Sequence, residues 1–261
     1  MSVKVSIVTI CFNNPEDLLF TIDSIDKQTE LPFEHWIIDG SNNNSIKGLL
    51  ENLPKKPYRK SIHEPDKGIS DAFNKGIERC KGDYIHLLNS GDSFFNEKSL
   101  EYYLNFLNDH PDADWVHARY KQKSGKHWIS TGEKLEPQKL YKGMMKVGHP
   151  TMMVSRKTYA EVGLYNIDLK YSMDYDMLIR LMNRNFFFID KTLAYFAPGG
   201  VSSSQIKKAK KEKAQVYKKY FGNSISFQLY QIRLDFIRAL LSTKFGNWLL
   251  KQKQKKNLIS P

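Results

Sequence analysis

The sequence predicts an α/β fold: a mixed, mainly parallel sheet flanked by helices, followed by a basic helical extension. Three observations carry this reading. Between residues 3 and 92, short apolar strands alternate four times with amphipathic helices, the pattern of a parallel sheet covered on both faces. Asn13, Asp39, Asp66 and Asp92 each follow one of those strands, and ligands of such sheets bind outside the carboxyl ends of the strands. The charge is also split. Residues 1–200 carry 26 Lys/Arg and 26 Asp/Glu, whereas residues 201–261 carry 14 Lys/Arg against Glu212 and Asp235, so the net +12 belongs to the carboxyl-terminal stretch.

Residues 3–10 are β-branched and nearly all apolar, as in a strand buried on both faces. Asn14 reads as a helix N-cap, with Pro15 at the first helical position and Glu16 and Asp17 in the first turn. Leu18, Leu19, Ile22 and Ile25 form its apolar stripe. Trp36-Ile37-Ile38 is a second strand, ending at Asp39-Gly40. Ser61-Ile62-His63 is a third, ending at Glu64-Pro65-Asp66. Ser70 opens a helix whose stripe is Phe73, Ile77 and Cys80, and residues 84–88 form a fourth strand. Further on, residues 115–120 and 127–131 read as strands joined by Lys123-Ser124-Gly125-Lys126, a hairpin. Residues 151–154 are a short strand. Residues 174–184 are a helix with Met177, Leu178, Leu181 and Met182 on its apolar side. Residues 186–189 and 193–196 are two late strands, and residues 198–204 a loop. The expected division is 1–204, with a ligand half at 1–115 and a second half at 116–204, followed by the basic tail at 205–261.

With 41% hydrophobic residues the chain holds a sizeable core, which excludes a disordered protein. Cys11 and Cys80 read as buried thiols in a reducing compartment. The first apolar run is broken by Ser6 and Thr9 and meets Asn13-Asn14-Pro15, so it reads as a strand and not as a leader. No run approaches the ~20 apolar residues of a membrane span. A cytoplasmic protein follows, with peripheral contact at the inner face of the cell membrane as one reading of its tail. There, Leu229, Ile232, Phe236, Leu240, Phe245, Trp248 and Leu249 recur at helical spacing between basic residues. Such a helix either packs on the domain or lies on an anionic lipid surface. No groove-reading motif accompanies the charge, so nucleic acid is not an expected partner.

The chemistry concentrates in Glu64-Pro65-Asp66-Lys67-Gly68-Ile69-Ser70-Asp71-Ala72-Phe73-Asn74-Lys75-Gly76 and in Leu87-Leu88-Asn89-Ser90-Gly91-Asp92. An acidic turn at a helix start is paired with an apolar strand that exits into a polar, acidic turn. That suits a nucleotide diphosphate and a divalent cation, because the cation needs hard oxygen ligands and the sugar and base need hydrogen-bond acceptors.

These residues resemble the family 2 glycosyltransferases of the GT-A, Rossmann-like fold, and more narrowly the bacterial enzymes that build O-antigens, capsules and related surface glycans. The resemblance covers residues 3–200. Its motifs are Val5-Ser6-Ile7-Val8-Thr9 with Asn13, Ile38-Asp39-Gly40-Ser41 with Asn44-Ser45, the 64–76 segment, and Gly82-Asp83-Tyr84 leading to Asn89-Ser90-Gly91-Asp92. Gly148-His149-Pro150 and Asp174-Tyr175-Asp176 complete the set. Each is weak alone, and their order and spacing make the signal strong.

The resemblance implies an inverting hexosyl transfer from a nucleotide-diphosphate sugar, of which a UDP-sugar is the expected donor. It implies that Asp39 accepts a hydrogen bond from the base, with Thr9, Phe12, Asn13 and Ser41 lining that pocket. Asp66, Lys67 and Gly68 pass the base and ribose, with Asp71 and Asn74 alongside or serving the helix start. Asn89-Ser90-Gly91-Asp92 stands at the family's acidic metal motif, but Asn89 and Gly91 replace acidic positions. Asp92 is left as the main ligand for Mg2+ or Mn2+, and His149 is either a further ligand or a loop residue on the acceptor side. Asp174 is implied as the catalytic base, with Asp176 as its rival, although two residues along a helix it points away. Gly200, Ser202 and Ser203 fit a lid. The implied acceptor is a glycan or an undecaprenyl-linked oligosaccharide, and homo-oligomerisation is left open. Two other readings compete. A nucleotidyltransferase is disfavoured because Cys11-Phe12-Asn13-Asn14-Pro15 has no glycine or lysine. A non-catalytic nucleotide-sugar binder is favoured by Asn89 and Gly91 and opposed by Asp174.

Overall fold

A computed structural model describes residues 2–124, 127–144, 147–199, 205–241 and 243. The expected hairpin tip at Gly125 and Lys126, the lid residues Gly200, Ser202 and Ser203, the boundary at Ser204, and Phe245, Trp248 and Leu249 lie outside them.

The chain begins with β1 (Val5–Cys11), α1 (Pro15–Asp26), β2 (Glu34–Asp39), α2 (Ser45–Asn52), β3 (Arg59–His63), α3 (Ile69–Arg79) and β4 (Tyr84–Leu87). Then follow β5 (Ser93–Phe94), α4 (Ser99–Asp109), β6 (Trp115–Ser124), β7 (His127–Thr131), β8 (Met153–Ser155), α5 (Arg156–Val162), α6 (Met173–Leu181) and β9 (Phe186–Phe196), with α7 (Ile206–Phe221) and α8 (Ile225–Leu241) last. Among the described residues the strands form one sheet in the order β3-β2-β1-β4-β8-β6-β9-β5, with β7 paired to β6. β3, β2, β1 and β4 run parallel. β8 is antiparallel to β4 and β6, and β6 and β9 run parallel. The sheet is therefore mixed and mainly parallel on its amino-terminal side, as expected.

β1 lies between β2 and β4, which explains its composition. Val5, Ile7 and Val8 are buried. The two polar residues that interrupt it are matched across to β2: Ser6 Oγ donates to Glu34 Oε1 at 2.8 Å, and Thr9 Oγ1 lies 2.9 Å from His35 Nε2. Burial alone would raise the Glu34 carboxyl, but Lys60, the Lys81 amide and Ser6 hold it below its usual value. α3 lies so close on β1 that a Cβ on Gly76 would stand 2.3 Å from Val8 Cγ1. Cys11, Leu18, Ile22, Ile37 and Ile46 fill one part of the core. A larger part joins β1 and β4 to α4 and the later strands, with Tyr103, Leu107, Val116, Met153 and Leu193 at its centre.

The sequence reading differs from the structure at several elements. α2, β5, α4 and α5 were not anticipated; α4 carries the helical stripe Leu100, Tyr103 and Leu107. The two late strands are one, because β9 runs through Asp190-Lys191-Thr192 while its register against β6 shifts between Ala118 and Tyr120. At that bulge Asp190 pairs with Arg119. Asn14 precedes α1 as expected but makes no side-chain cap; its Oδ1 accepts from the Phe12 amide at 3.1 Å.

The chain divides into two compact units, Met1–Val216 and Tyr217–Pro261. In the second, the Tyr217 and Phe227 rings stack at 4.3 Å, while Ile225, Leu229, Ile232 and Phe236 of α8 are exposed.

Three histidines are sealed in the sheet. Burial pushes His35 and His117 down to about 3 and His86 to about 4. His117 has no hydrogen-bond partner at either nitrogen and lies against the rings of Trp115 and Phe188. All three are neutral in the fold, whereas the unfolded chain protonates them below about 6.5. Stability is therefore complete above about pH 6.5 and declines as pH falls towards 3–4, by about 1.4 kcal/mol per pH unit for each histidine. The urea midpoint is expected to fall from pH 7 to pH 5, and His117→Leu to flatten that slope. Equal midpoints at both pH values would refute this account.

Candidate active site

The polar loops that leave β1, β2 and β3 are tied to one another. Asn13, with φ of 54°, is the one non-glycine residue of positive φ among the described residues. Its amide donates to Ser41 Oγ at 2.8 Å, and its side chain bonds Asn42 and Asn43. Asp39, buried at the end of β2, accepts from the Ser41 amide at 2.9 Å and lies 2.6 Å from His63 Nδ1. Asp66 folds over this turn. A Cβ on Gly40 would meet Asp66 Oδ2 at 1.8 Å, so only glycine leaves the carboxylate its place. Asp66 Oδ1 in turn accepts from the Gly68 amide at 2.8 Å, where φ is 118°. Burial, with Asp39 beside it, pushes the Cys11 thiol far up, and burial takes Cys80 to about 12. Both are free, buried thiols without nucleophilic character.

The turn after β4 is pinned from α1. Thr21 Oγ1 accepts from the Gly91 amide at 2.9 Å and donates to the Asp92 carbonyl at 2.7 Å. Asp92 is 2% exposed. Its Oδ1 accepts from the Ala197 amide, just past β9, at 2.8 Å. Burial raises the Asp92 carboxyl to about 7; the Ala197 amide and His149 oppose the rise, and Asp174 adds to it. Beside it, Asn89 Oδ1 and Ser90 Oγ are buried without a hydrogen-bond partner.

His149 sits in the 3-10 turn His149–Thr151, buried and stacked on Phe73 at 5.1 Å. Its Nδ1 is 3.0 Å from Asp174 Oδ1, and its Nε2 has no hydrogen-bond partner. Burial disfavours the imidazolium, but Asp174 first and Asp92 second raise His149 above its usual value. His149 thus feels both carboxylates. Asp174 lies in the first turn of α6. Asp176, in the same turn, is buried and ion-paired with Arg180 at 2.9 Å, and Arg180 also donates to the carbonyls of Val162 and Gly163.

A cavity of about 1040 Å3 opens over the turns after β1 and β4. Phe12, Asp66, Gly68, Asn89, Ser90, Gly91 and Asp92 line it. Other expected site residues serve the fold. Thr9 is fully buried against His35. Asp71 holds the Lys67 amide at 2.9 Å, and the Lys67 residue itself is exposed. Asn74 bonds both the carbonyl and the amide of Tyr165 at 2.8 Å. The sequence reading missed the cavity's far wall: Phe20 of α1, Lys121 of β6, Trp128 of β7 and Tyr195 of β9. Trp128 and Tyr195 meet edge to face at 5.4 Å. Trp128 and Phe20 remain exposed for residues so apolar, which was the available signal once the strand order was known.

Among the described residues no group of three or more His, Cys, Asp or Glu converges as a complete metal cage. Asp92 supplies one buried carboxylate, held by the Ala197 amide. That donor set fits a cation whose remaining oxygens arrive with a diphosphate and water.

Comparison with known proteins identifies the fold and the family. A curated relative from Mycobacterium tuberculosis, a PGL/p-HBAD biosynthesis glycosyltransferase, is 25% identical over 177 residues, 67% of this chain and 68% of that protein. Staphylococcus aureus TarS 1–349, solved in complex with UDP, superimposes with a TM-score of 0.63 at 18% identity, covering 94% of this chain and 73% of that one. The mannosyltransferase PcManGT from Pyrobaculum calidifontis, solved with GDP-Man and Mn2+, gives 0.58 at 13% identity over 97% and 85%. These likenesses define the fold as GT-A. The Glycosyl transferase family 2 model matches residues 6–163, and the chain belongs to that family. It is a glycosyltransferase.

Thr21 is the support most open to test. Thr21→Val keeps the shape but removes the hydroxyl that serves Gly91 and Asp92. A loss of about 1–3 kcal/mol is expected, read as a lowered urea midpoint with unchanged slope. No loss would show that the turn after β4 stands without α1.

Proposed function

We propose that the chain is an inverting transferase that moves a sugar from a nucleotide-diphosphate donor, a UDP-sugar in the first instance, to a hydroxyl of a glycan or lipid-linked oligosaccharide in bacterial surface polysaccharide synthesis. The observation that carries this reading is the buried acid Asp92 with the unpartnered Asn89 and Ser90 oxygens lining the cavity at the strand exits, together with Asp174 3.0 Å from His149. The TarS complex with UDP supports the choice of nucleotide, and the Mn2+ complex supports a divalent cation.

In this reading Asp39, at the end of β2, and Asp66, whose carboxylate lies over Gly40, face the base and ribose. Asn89 and Ser90 offer their unpartnered oxygens to the donor's hydroxyls and amides. Asp92 would hold a divalent cation, Mg2+ or Mn2+, which would offer positive charge to the departing diphosphate. Asp174 takes the proton of the acceptor hydroxyl as that oxygen forms its bond to the anomeric carbon and the bond to the diphosphate breaks. One such displacement inverts the configuration. His149, 3.0 Å from Asp174 and electrostatically favoured by both acids, offsets their negative charge, and Asp176 is spent on Arg180. The aromatic far wall suits the apolar face of an acceptor.

The basic tail is assigned to an anionic membrane surface. Ile225, Leu229, Ile232 and Phe236 recur on one exposed stripe of α8, and the surrounding tail is strongly basic. No helix among the described residues is long and apolar enough to cross a membrane.

Hydrolysis of UDP-glucose, UDP-galactose and UDP-N-acetylglucosamine should reveal one active donor. Asp174→Asn is expected to lower its turnover at least a hundredfold while UDP affinity stays within twofold; unchanged turnover removes Asp174 from the base role. Calorimetry should show UDP binding tightened by Mn2+ in the wild type but not in Asp92→Ala. For the tail, full-length protein should pellet with vesicles containing anionic lipid, and Leu229→Glu with Phe236→Glu should abolish pelleting. Equal pelleting of both proteins would exclude α8 as the lipid contact.

A further inference from the structure

The lysine-rich helix α7 carries one acid, Glu212, and the next acid in the chain is Asp235. The carboxylate of Glu212 accepts three successive backbone amides: Lys170 at 3.1 Å, and Tyr171 and Ser172 each at 2.7 Å. Consecutive amides that converge on one carboxylate form an anion cradle, and hydrogen bonds to a charged acceptor are among the stronger ones. These three amides lead directly into α6. The residue that should cap α6, Ser172, makes no side-chain cap; its hydroxyl donates to the Ala209 carbonyl on α7 at 3.5 Å. The start of α6 is thus set by a side chain from a helix that follows it by some forty residues in sequence.

Asp174 is the second residue of α6. The rest of α6 is held elsewhere, by Tyr175 Oη on the Leu140 carbonyl at 2.5 Å and by Asp176 on Arg180. The amides held by Glu212 lead into the first turn of α6 and end two residues before Asp174. We infer that Glu212 is a positioning residue for Asp174: by gathering the 170–172 amides it fixes where α6 begins, and so where the Asp174 carboxylate stands against His149 and the acceptor hydroxyl. The inference rests on the reading of Asp174 as the base. It makes part of the chain beyond residue 204 a component of the active site and not an appendage. Loss of the carboxylate leaves three amides to turn to water, and the first turn of α6 drifts. An error of an ångström in a proton-accepting group is enough to slow transfer substantially, whereas donor binding, which uses the turns after β1 to β4, is untouched.

The test uses the full chain and the nucleotide sugar it hydrolyses fastest. Glu212→Ala is expected to lower kcat at least tenfold with the donor KM within twofold, and to speed hydrogen exchange at the 170–172 amides at least tenfold. Glu212→Gln, which keeps an acceptor oxygen without the charge, should fall between Glu212→Ala and the wild type and guards against a misfolded alanine variant. Val216→Ala loosens the packing of α7 without touching the cradle, so it should lower the melting temperature and leave kcat within twofold. Asp174→Asn separates the two layers. If Asp174→Asn is inactive but Glu212→Ala and Glu212→Gln keep wild-type kcat, the positioning role is overturned and the base survives. If Asp174→Asn stays active, both are overturned. A loss of kcat in Val216→Ala as large as in Glu212→Ala would mean that Glu212 is only a staple.

Discussion

A carboxylate withheld from water at the exit of β4 is what the surrounding structure answers to. Asp92 is almost fully covered, and burial lifts it towards neutrality unless charge of opposite sign is near. Its fixed partners are an amide from beyond β9 and, at longer range, the imidazole of His149. The backbone on either side is locked by Thr21, so the turn cannot swing the group outward. Such a group is a poor surface anion and a good receptor for a positive charge brought in by a ligand. The neighbouring Asn89 and Ser90 oxygens, buried and unsatisfied, carry the same message in neutral form, since buried polar atoms are normally paired.

His149 is the second half of that arrangement. Two acidic side chains that approach one crevice repel each other and drive one towards protonation. An imidazole 3.0 Å from Asp174, raised above its usual value by Asp174 first and Asp92 second, offsets this and is itself held by its stack on Phe73. Phe73 belongs to α3, which sits hard on β1 through Gly76. The His149 ring, although it sits in a short turn, is therefore referred through α3 to the centre of the sheet.

The parallel half of the fold was legible in the sequence because its strands are buried on both faces and its helices carry simple stripes. Local pattern suffices where each element packs on its chain neighbours. It failed at β9, where Asp190, Lys191 and Thr192 break the apolar run although the strand continues through a bulge opposite Arg119. It also failed for α2, which is eight residues long and contains Gly48. For the site, Asp39, Asp66 and Asp92 were readable as acids at strand exits. Thr9, Asp71 and Asn74 were not separable from them, because whether a polar side chain faces a ligand or a neighbouring loop depends on tertiary partners such as His35 and Tyr165. Thr21, Trp128 and Glu212 carry no local signature at all. Their importance arises from which distant backbone they meet.

The bulge in β9 has a consequence at the other end of that strand. The amide that holds Asp92 belongs to Ala197, the first residue past β9, and the next residue is Pro198. Were β9 to slide along β6 by a single position, the group presented to Asp92 would be an imino nitrogen with nothing to donate. The three extra residues that β9 accommodates opposite Ala118–Tyr120 thus work as a phase-setter: their number decides which nitrogen arrives at the rim, and Pro198 there would leave a sealed-in carboxylate with no donor from this strand.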